Sequence, residues 1–168
     1  MIDRAKLADS DIKAAAKGFY ILKDFDPSKP KEGYIVVQGS SCTSNLVAQM
    51  DAIKEAGHNV RIIAAVSEEL FNRQPKQYRD EVLPESAKYN MMIVSTGTKR
   101  MWPVTGVGPL TEEYSLVSDH DDVWLSGGSE GEVLKEARLD PNSIFDAVAK
   151  FATEHPERMK RQSELLSG

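Results

Sequence analysis

The chain has 168 residues, 40% apolar and 28% charged, with 21 basic against 26 acidic side chains and a formal net charge of −5. That is one globular domain with room for a sizeable core, and no apolar run approaches the roughly 20 residues that cross a bilayer. The acidic balance argues against a nucleic-acid partner, which needs clustered Lys and Arg, and residues 1–6 lack the apolar stretch of a signal peptide, so a cytoplasmic protein is expected.

In chain order, residues 9–17 read as a short helix ended by Gly18, and Phe19-Tyr20-Ile21-Leu22 as an opening strand. Asp26-Pro27-Ser28-Lys29-Pro30 is a turn, its two prolines forbidding helix. Tyr34-Ile35-Val36-Val37 is a continuous run expected of a strand buried on both faces. Gly39-Ser40-Ser41 breaks it, and Ser41 or Thr43 is expected to cap the following helix. Leu46, Val47, Met50 and Ile53 recur there at helical spacing. Gly57 suits a left-handed C-cap, and residues 60–66 form the next strand. Two buried strands joined by a helix predict a parallel pair with a right-handed crossover.

Ser67-Glu68-Glu69 opens another short helix with its acids at the positive end of the dipole. Gln74-Pro75 interrupts it, a further turn carries Tyr78 and Val82, and Pro84 stops it. Residues 91–94 are a third buried strand. Residues 96–109, with three glycines and two prolines, read as an irregular loop. Residues 113–117 and 123–125 are short strand candidates. Ser129 and Glu132 form a capping box, and Asp140-Pro141 starts a helix burying Ile144, Val148, Phe151 and Ala152. From Glu154 this helix is expected to fray into a polar tail, with the basic run from Arg158 to Arg161 solvated. The expected organisation is an arm (1–17), a three-layer α/β domain (18–153) and a tail (154–168).

The sequence carries few signs of chemistry. Cys42 is the only cysteine, and His58, His120 and His155 fall in three segments without ligand spacing, so no tight zinc site is expected. The most suggestive feature is the turn Gly39-Ser40-Ser41-Cys42-Thr43-Ser44 at the carboxyl end of a strand. Free N–H groups and hydroxyls there suit an anion, although capping alone explains the same residues. The turn lacks both the dinucleotide glycine pattern and a P-loop lysine. Cys42 at a helix start would have a stabilised thiolate, but no base is assigned beside it, and a buried bystander is the favoured reading. Ser118-Asp119-His120-Asp121-Asp122 is most simply a solvated loop. Trp124 suits the core, and Trp102, in its Gly/Pro loop, is the candidate interface residue.

One segment is more specific. Glu69-Leu70-Phe71, Gln74-Pro75, Tyr78-Arg79 and Val82-Leu83-Pro84 together resemble the stretch after the second parallel strand in transketolase C-terminal domains. Residues 18–24 resemble the Gly-x-Tyr-x-Leu strand that begins that domain, residues 34–40 its Ile-Ala-Thr-Gly-Ser turn, and residues 129–151 its closing part. The resemblance covers roughly residues 15–152.

The resemblance implies a three-layer α/β/α fold around a five-stranded mixed sheet, the first strand antiparallel to the other four. It implies a piece of an enzyme that transfers ketol units between sugar phosphates with thiamine diphosphate and Mg²⁺. The Gly-Asp-Gly motif with a downstream Asn-Asn that binds the diphosphate is absent here, so this chain is not expected to hold cofactor or metal, or to be catalytic alone. Its expected partners are the catalytic domains or subunit of the same enzyme in a homo-oligomer. Its expected roles are assembly, dimer contacts and effector binding. Gln38-Gly39-Ser40-Ser41 departs from the family's Thr-Gly-Ser-Glu turn, and residues 96–109 from a helix that relatives carry there. A pyruvate dehydrogenase E1-type C-terminal domain is the first alternative. The second is a stand-alone metabolite module binding an anion at Gly39, Ser40, Ser41, Thr43 and Ser44.

Overall fold

The structure, a computed structural model, describes residues 12–98, 108–119 and 125–167. Among the described residues five strands are formed: β1 (Phe19–Lys23), β2 (Gly33–Gln38), β3 (Val60–Ala65), β4 (Met91–Ser95) and β5 (Leu116–Val117). They make one sheet in the order β1-β3-β2-β4-β5. β2 lies at its centre, parallel to β3 and β4, with Ile35 opposite both Ile62 and Met92. β4 is parallel to β5, and β1 closes the other edge antiparallel to β3. This is the mixed sheet that the resemblance implies. The apolar runs of β2, β3 and β4 follow from burial on both faces, which removes any need for alternation.

The helices are α1 (Ser40–Ala48), α2 (Met50–Glu55), α3 (Glu68–Asn72), α4 (Lys76–Val82), α5 (Pro109–Tyr114), α6 (Glu130–Glu136), α7 (Pro141–Thr153) and α8 (His155–Ser167). One face of the sheet packs on α1, α2 and α7 through Leu46, Ile53, Ile144, Val148 and Phe151 around Ile35 and Ile62. The opposite face meets α3 and α4 through Phe71 and Val82 around Phe19, Val36 and Ile93. Phe19 and Phe71 stack there at 4.5 Å between ring centroids.

The helix signals hold where their chemistry is local. Ser129 and Glu132 form the reciprocal capping box of α6, and the Asp140 carboxylate accepts from the Asn142 and Ser143 amides at the start of α7. Gly57 adopts φ +87°. Three expectations are corrected. α1 has no side-chain cap: Gly39 occupies the N-cap, and Thr43 Oγ1 instead donates to the Gly39 carbonyl at 2.7 Å. Glu113 and Tyr114 belong to α5 rather than to a strand, leaving two residues for β5. Pro109 at the first helical position starts that helix, and Tyr114 turns inward to meet Phe151 edge-on at 5.7 Å.

The largest correction concerns the chain end. Residues 155–167 form α8 rather than a frayed tail, and Arg158 in its basic run is buried, with 1% of its surface exposed. Its guanidinium donates to the Phe151 carbonyl, to the Glu32 carbonyl at 2.8 Å and to Asn90 Oδ1 at 2.7 Å. It also lies 3.6 Å over the Phe151 ring. Sequence logic places Arg in water; here three acceptors and two aromatic faces (Tyr114 is the second) replace that water.

Candidate functional site

β2 ends at Gln38, and the backbone must then turn sharply to start α1. Gly39 does this at φ +93°, and a Cβ there would meet Thr96 Oγ1 at 2.9 Å. Glycine is required on both counts. The neighbouring end of β4 is tied to it, since buried Ser95 donates to Gln38 Oε1 at 3.1 Å and accepts from the Gly97 amide at 2.9 Å. The carboxyl ends of the two central strands and the start of α1 therefore form one polar shelf.

The structure brings Gly39, Ser40, Ser41, Thr43 and Ser44 together as the first turn of α1 and separates their roles. Thr43 satisfies its own backbone. Ser41 Oγ donates to Glu130 Oε1 at 2.9 Å, which sets a carboxylate from α6 beside the turn. Ser40 is exposed and Ser44 half-buried. Cys42 points into the core, fully buried, and burial pushes its thiol up to about 11. The helix dipole does not overcome that desolvation, so a thiolate nucleophile is not supported.

His58 and His155 lie at the opposite end of the sheet. His58 is 3.9 Å from Glu32, and His155 Nε2 is 3.3 Å from Asn90 Nδ2. Neither reaches the turn before α1. Trp102, His120 and Trp124 lie outside the described residues. Among the described residues no three or more His, Cys, Asp or Glu converge in a way that could hold a metal ion. No helix among them is long and apolar enough to cross a membrane.

Two polar features escape sequence reading. Asn59 is buried; its amide nitrogen donates to the carbonyls of Asp26, Lys29 and Pro30, and its Oδ1 accepts from the Asp26 amide. One side chain thus folds the whole Asp26–Pro30 turn. Arg158 plays a similar part across 126 residues of chain separation to Glu32. No local motif announces either residue. The nearest signal for Arg158 is its seven-residue spacing from Phe151, which keeps both on one side of a continued helix.

A family model described as the transketolase-like TK C-terminal domain matches residues 18–108. A chloroplastic transketolase of Solanum tuberosum is 32% identical over 93 residues, covering 55% of this chain and 12% of that protein. A chloroplastic transketolase of Zea mays is 27% identical over 146 residues, covering 86% of this chain and 20% of that protein. Among solved structures, a transketolase mutant of Pichia stipitis in complex with xylulose-5-phosphate superposes with a TM-score of 0.66 at 19% identity. That match covers 90% of this chain and 20% of the other. At such identity the structural likeness speaks for the fold, and the chain corresponds to one fifth or less of each of these proteins.

Proposed function

Because this chain belongs to the transketolase-like C-terminal domain family, we propose that it is the non-catalytic closing domain or subunit of a transketolase-like enzyme. The observation that carries the proposal is the family match over residues 18–108, set on a sheet of the implied topology. The enzyme as a whole transfers ketol units between sugar phosphates. Residues 18–153 are the domain proper, 1–17 its lead-in and 154–168 its closing segment. Its work is to pack against the catalytic parts of the enzyme in a homo-oligomer, with effector binding as a second role. The relatives named above are transketolases, which favours this reading over a pyruvate dehydrogenase-type enzyme. The proposed compartment is the cytoplasm; the chloroplastic relatives make fractionation of the native host the direct check.

Thiamine diphosphate supplies the carbanion chemistry of such enzymes, held through a divalent cation. A cation bound to a diphosphate needs oxygen donors around it, and the described residues offer no converging set. At the turn with free amides, Glu130 opposes an anion rather than holding its metal. The described residues do not fit the cofactor, and we assign it to other parts of the enzyme. Calorimetric titration of this chain with thiamine diphosphate and Mg²⁺ should give no binding heat. A ketol-transfer assay of the chain alone should give no turnover, and co-purification should recover a chain carrying the cofactor motif. Tight cofactor binding or turnover by this chain alone would overturn the assignment.

A further inference from the structure

A groove of about 900 Å³ runs along the outer edge of β1 rather than at the carboxyl ends of the parallel strands. Its shape depends on a β-bulge. Ile21 pairs with Ile63 but Lys23 pairs with Ile62, so Leu22 is an extra residue in the ladder. In an unbroken strand Lys23 would share the face of Phe19 and Ile21. The bulge moves it to the face of Leu22, where α2 packs, and bulges commonly serve to re-aim a side chain in this way. Lys23 Nζ donates to the Val60 carbonyl at 3.0 Å, which fixes the ammonium at the groove wall.

Lys29 and Lys54 line the same groove, from the loop after β1 and from α2. Burial, followed by the charges of Lys54 and Lys29, holds the Lys23 ammonium below the usual lysine range, against the opposing pull of Asp24 and Asp26. Three cations therefore crowd one wall. Four acids share the groove: Asp24 is paired with Arg61 at 2.7 Å, Asp26 holds the Ser28 amide and hydroxyl, Asp51 has a partner, and Glu81 enters from α4. Lys29 and Lys54 have no ion pair among the described residues. Tyr20, Leu22 and Met50 supply apolar surface between the charges.

We propose that this groove, bounded by Lys23, Lys29 and Lys54, binds a small organic polyanion, its phosphate between the ammonium groups and its body against Tyr20 and Met50. A bound dianion would relieve the mutual repulsion of the lysines, which is the source of its affinity. The site is separate from the turn at residues 39–44 and does not depend on the enzyme assignment above.

The test is a two-dimensional amide NMR titration of this chain with fructose 1,6-bisphosphate, with pyrophosphate as a second arm that separates the organic body from phosphate alone. Saturable shifts should centre on residues 20–29 and 50–59, with the bisphosphate sugar binding more tightly than pyrophosphate. Lys54→Gln and Lys29→Gln alter exposed side chains and leave the fold intact, and each should weaken binding about fivefold or more. Ser40→Ala should leave it unchanged. No saturation at millimolar ligand, shifts confined to residues 39–44, or affinity unmoved by both lysine variants would overturn the proposal.

Discussion

The two ends of the parallel strands are built from different chemistry. At the carboxyl end, Gly39, Ser41, Thr43, Ser95 and Gly97 make short hydrogen bonds, most of them to near neighbours or to the adjoining strand. At the amino end, Asn59, Asn90 and Arg158 bind one another's segments across 29 to 126 residues. Open α/β sheets generally hold ligands at their carboxyl end, and here that end is the looser one. The amino end locks the first turn, the central strands and the last helix together.

Arg158 should show this most strongly. Replacing it with Met keeps the volume but leaves the carbonyls of Phe151 and Glu32 and Asn90 Oδ1 without their donor. Each buried group left unpaired costs about 1–3 kcal/mol, so Arg158→Met should lower stability by about 3 kcal/mol or more in urea unfolding. An unchanged midpoint would mean that α8 does not close the amino end. Next come two glycines that test the ends against each other. Gly33 has φ +133°, and a Cβ there would lie 2.7 Å from both Asn90 Oδ1 and Phe151 Cε1. Gly39 has φ +93° and a single close neighbour, the side chain of Thr96. Gly33→Ala should cost about 3 kcal/mol and Gly39→Ala about 1–2 kcal/mol. The reverse order of their thermal midpoints would invert the comparison.

This asymmetry also explains what could be read from the sequence. The carboxyl end was legible because its signals are local: a β-branched run, then glycine and hydroxyl residues, then a helical apolar stripe from Leu46 to Ile53. The antiparallel first strand came with the resemblance rather than from residues 19–23 themselves, whose pattern is silent on direction. The amino end was illegible. Asn59 sits between a glycine turn and a strand, where any polar residue would pass unremarked, and Arg158 lies in a run that reads as solvated. Both act only through partners distant in the chain. The bulge at Leu22 was hidden for the same reason, since a ladder shift is a property of two strands. At the candidate turn the break at Gly39 and the burial of Cys42 are legible in the sequence, but the lack of a side-chain cap on α1 and the approach of Glu130 come from tertiary packing.

Acidification should act first at the amino end. Burial, and then the nearby Arg158 charge, hold His155 below the ordinary histidine range, against the opposing pull of Glu32. The unfolded chain therefore takes up this proton before the folded one does. Stability attributable to His155 is present above the ordinary histidine value and is lost as pH falls through it toward the folded value. Urea midpoints measured from about pH 7 to about pH 5 should fall in the native chain and fall less in His155→Gln. Equal slopes would remove His155 from the lock. The Glu113–Arg161 pair between α5 and α8 acts in a lower window. Its hydrogen bonds from Arg161 hold the Glu113 carboxyl below the usual range, so its contribution persists until pH drops beneath that of an ordinary glutamate.

The smallest effect belongs to the carboxyl end. Ser41 and Glu130 join α1 to α6 through one exposed hydrogen bond of 2.9 Å. An exposed bond exchanges readily with water, so Ser41→Ala and Glu130→Gln should each change stability by no more than about 0.5 kcal/mol. In a double-mutant cycle the two should couple by less than about 1 kcal/mol. A larger coupling would mean that the turn before α1 is held as firmly as Arg158 holds α8. Such a result would make the carboxyl shelf a second rigid closure rather than the looser end of the sheet. Cys42 reads the same distinction without mutation: buried beneath that turn with a raised pKa, it should resist thiol reagents until the whole domain unfolds. Labelling that runs ahead of global unfolding, while amides near Arg158 stay protected from exchange, would locate the loose end directly at α1.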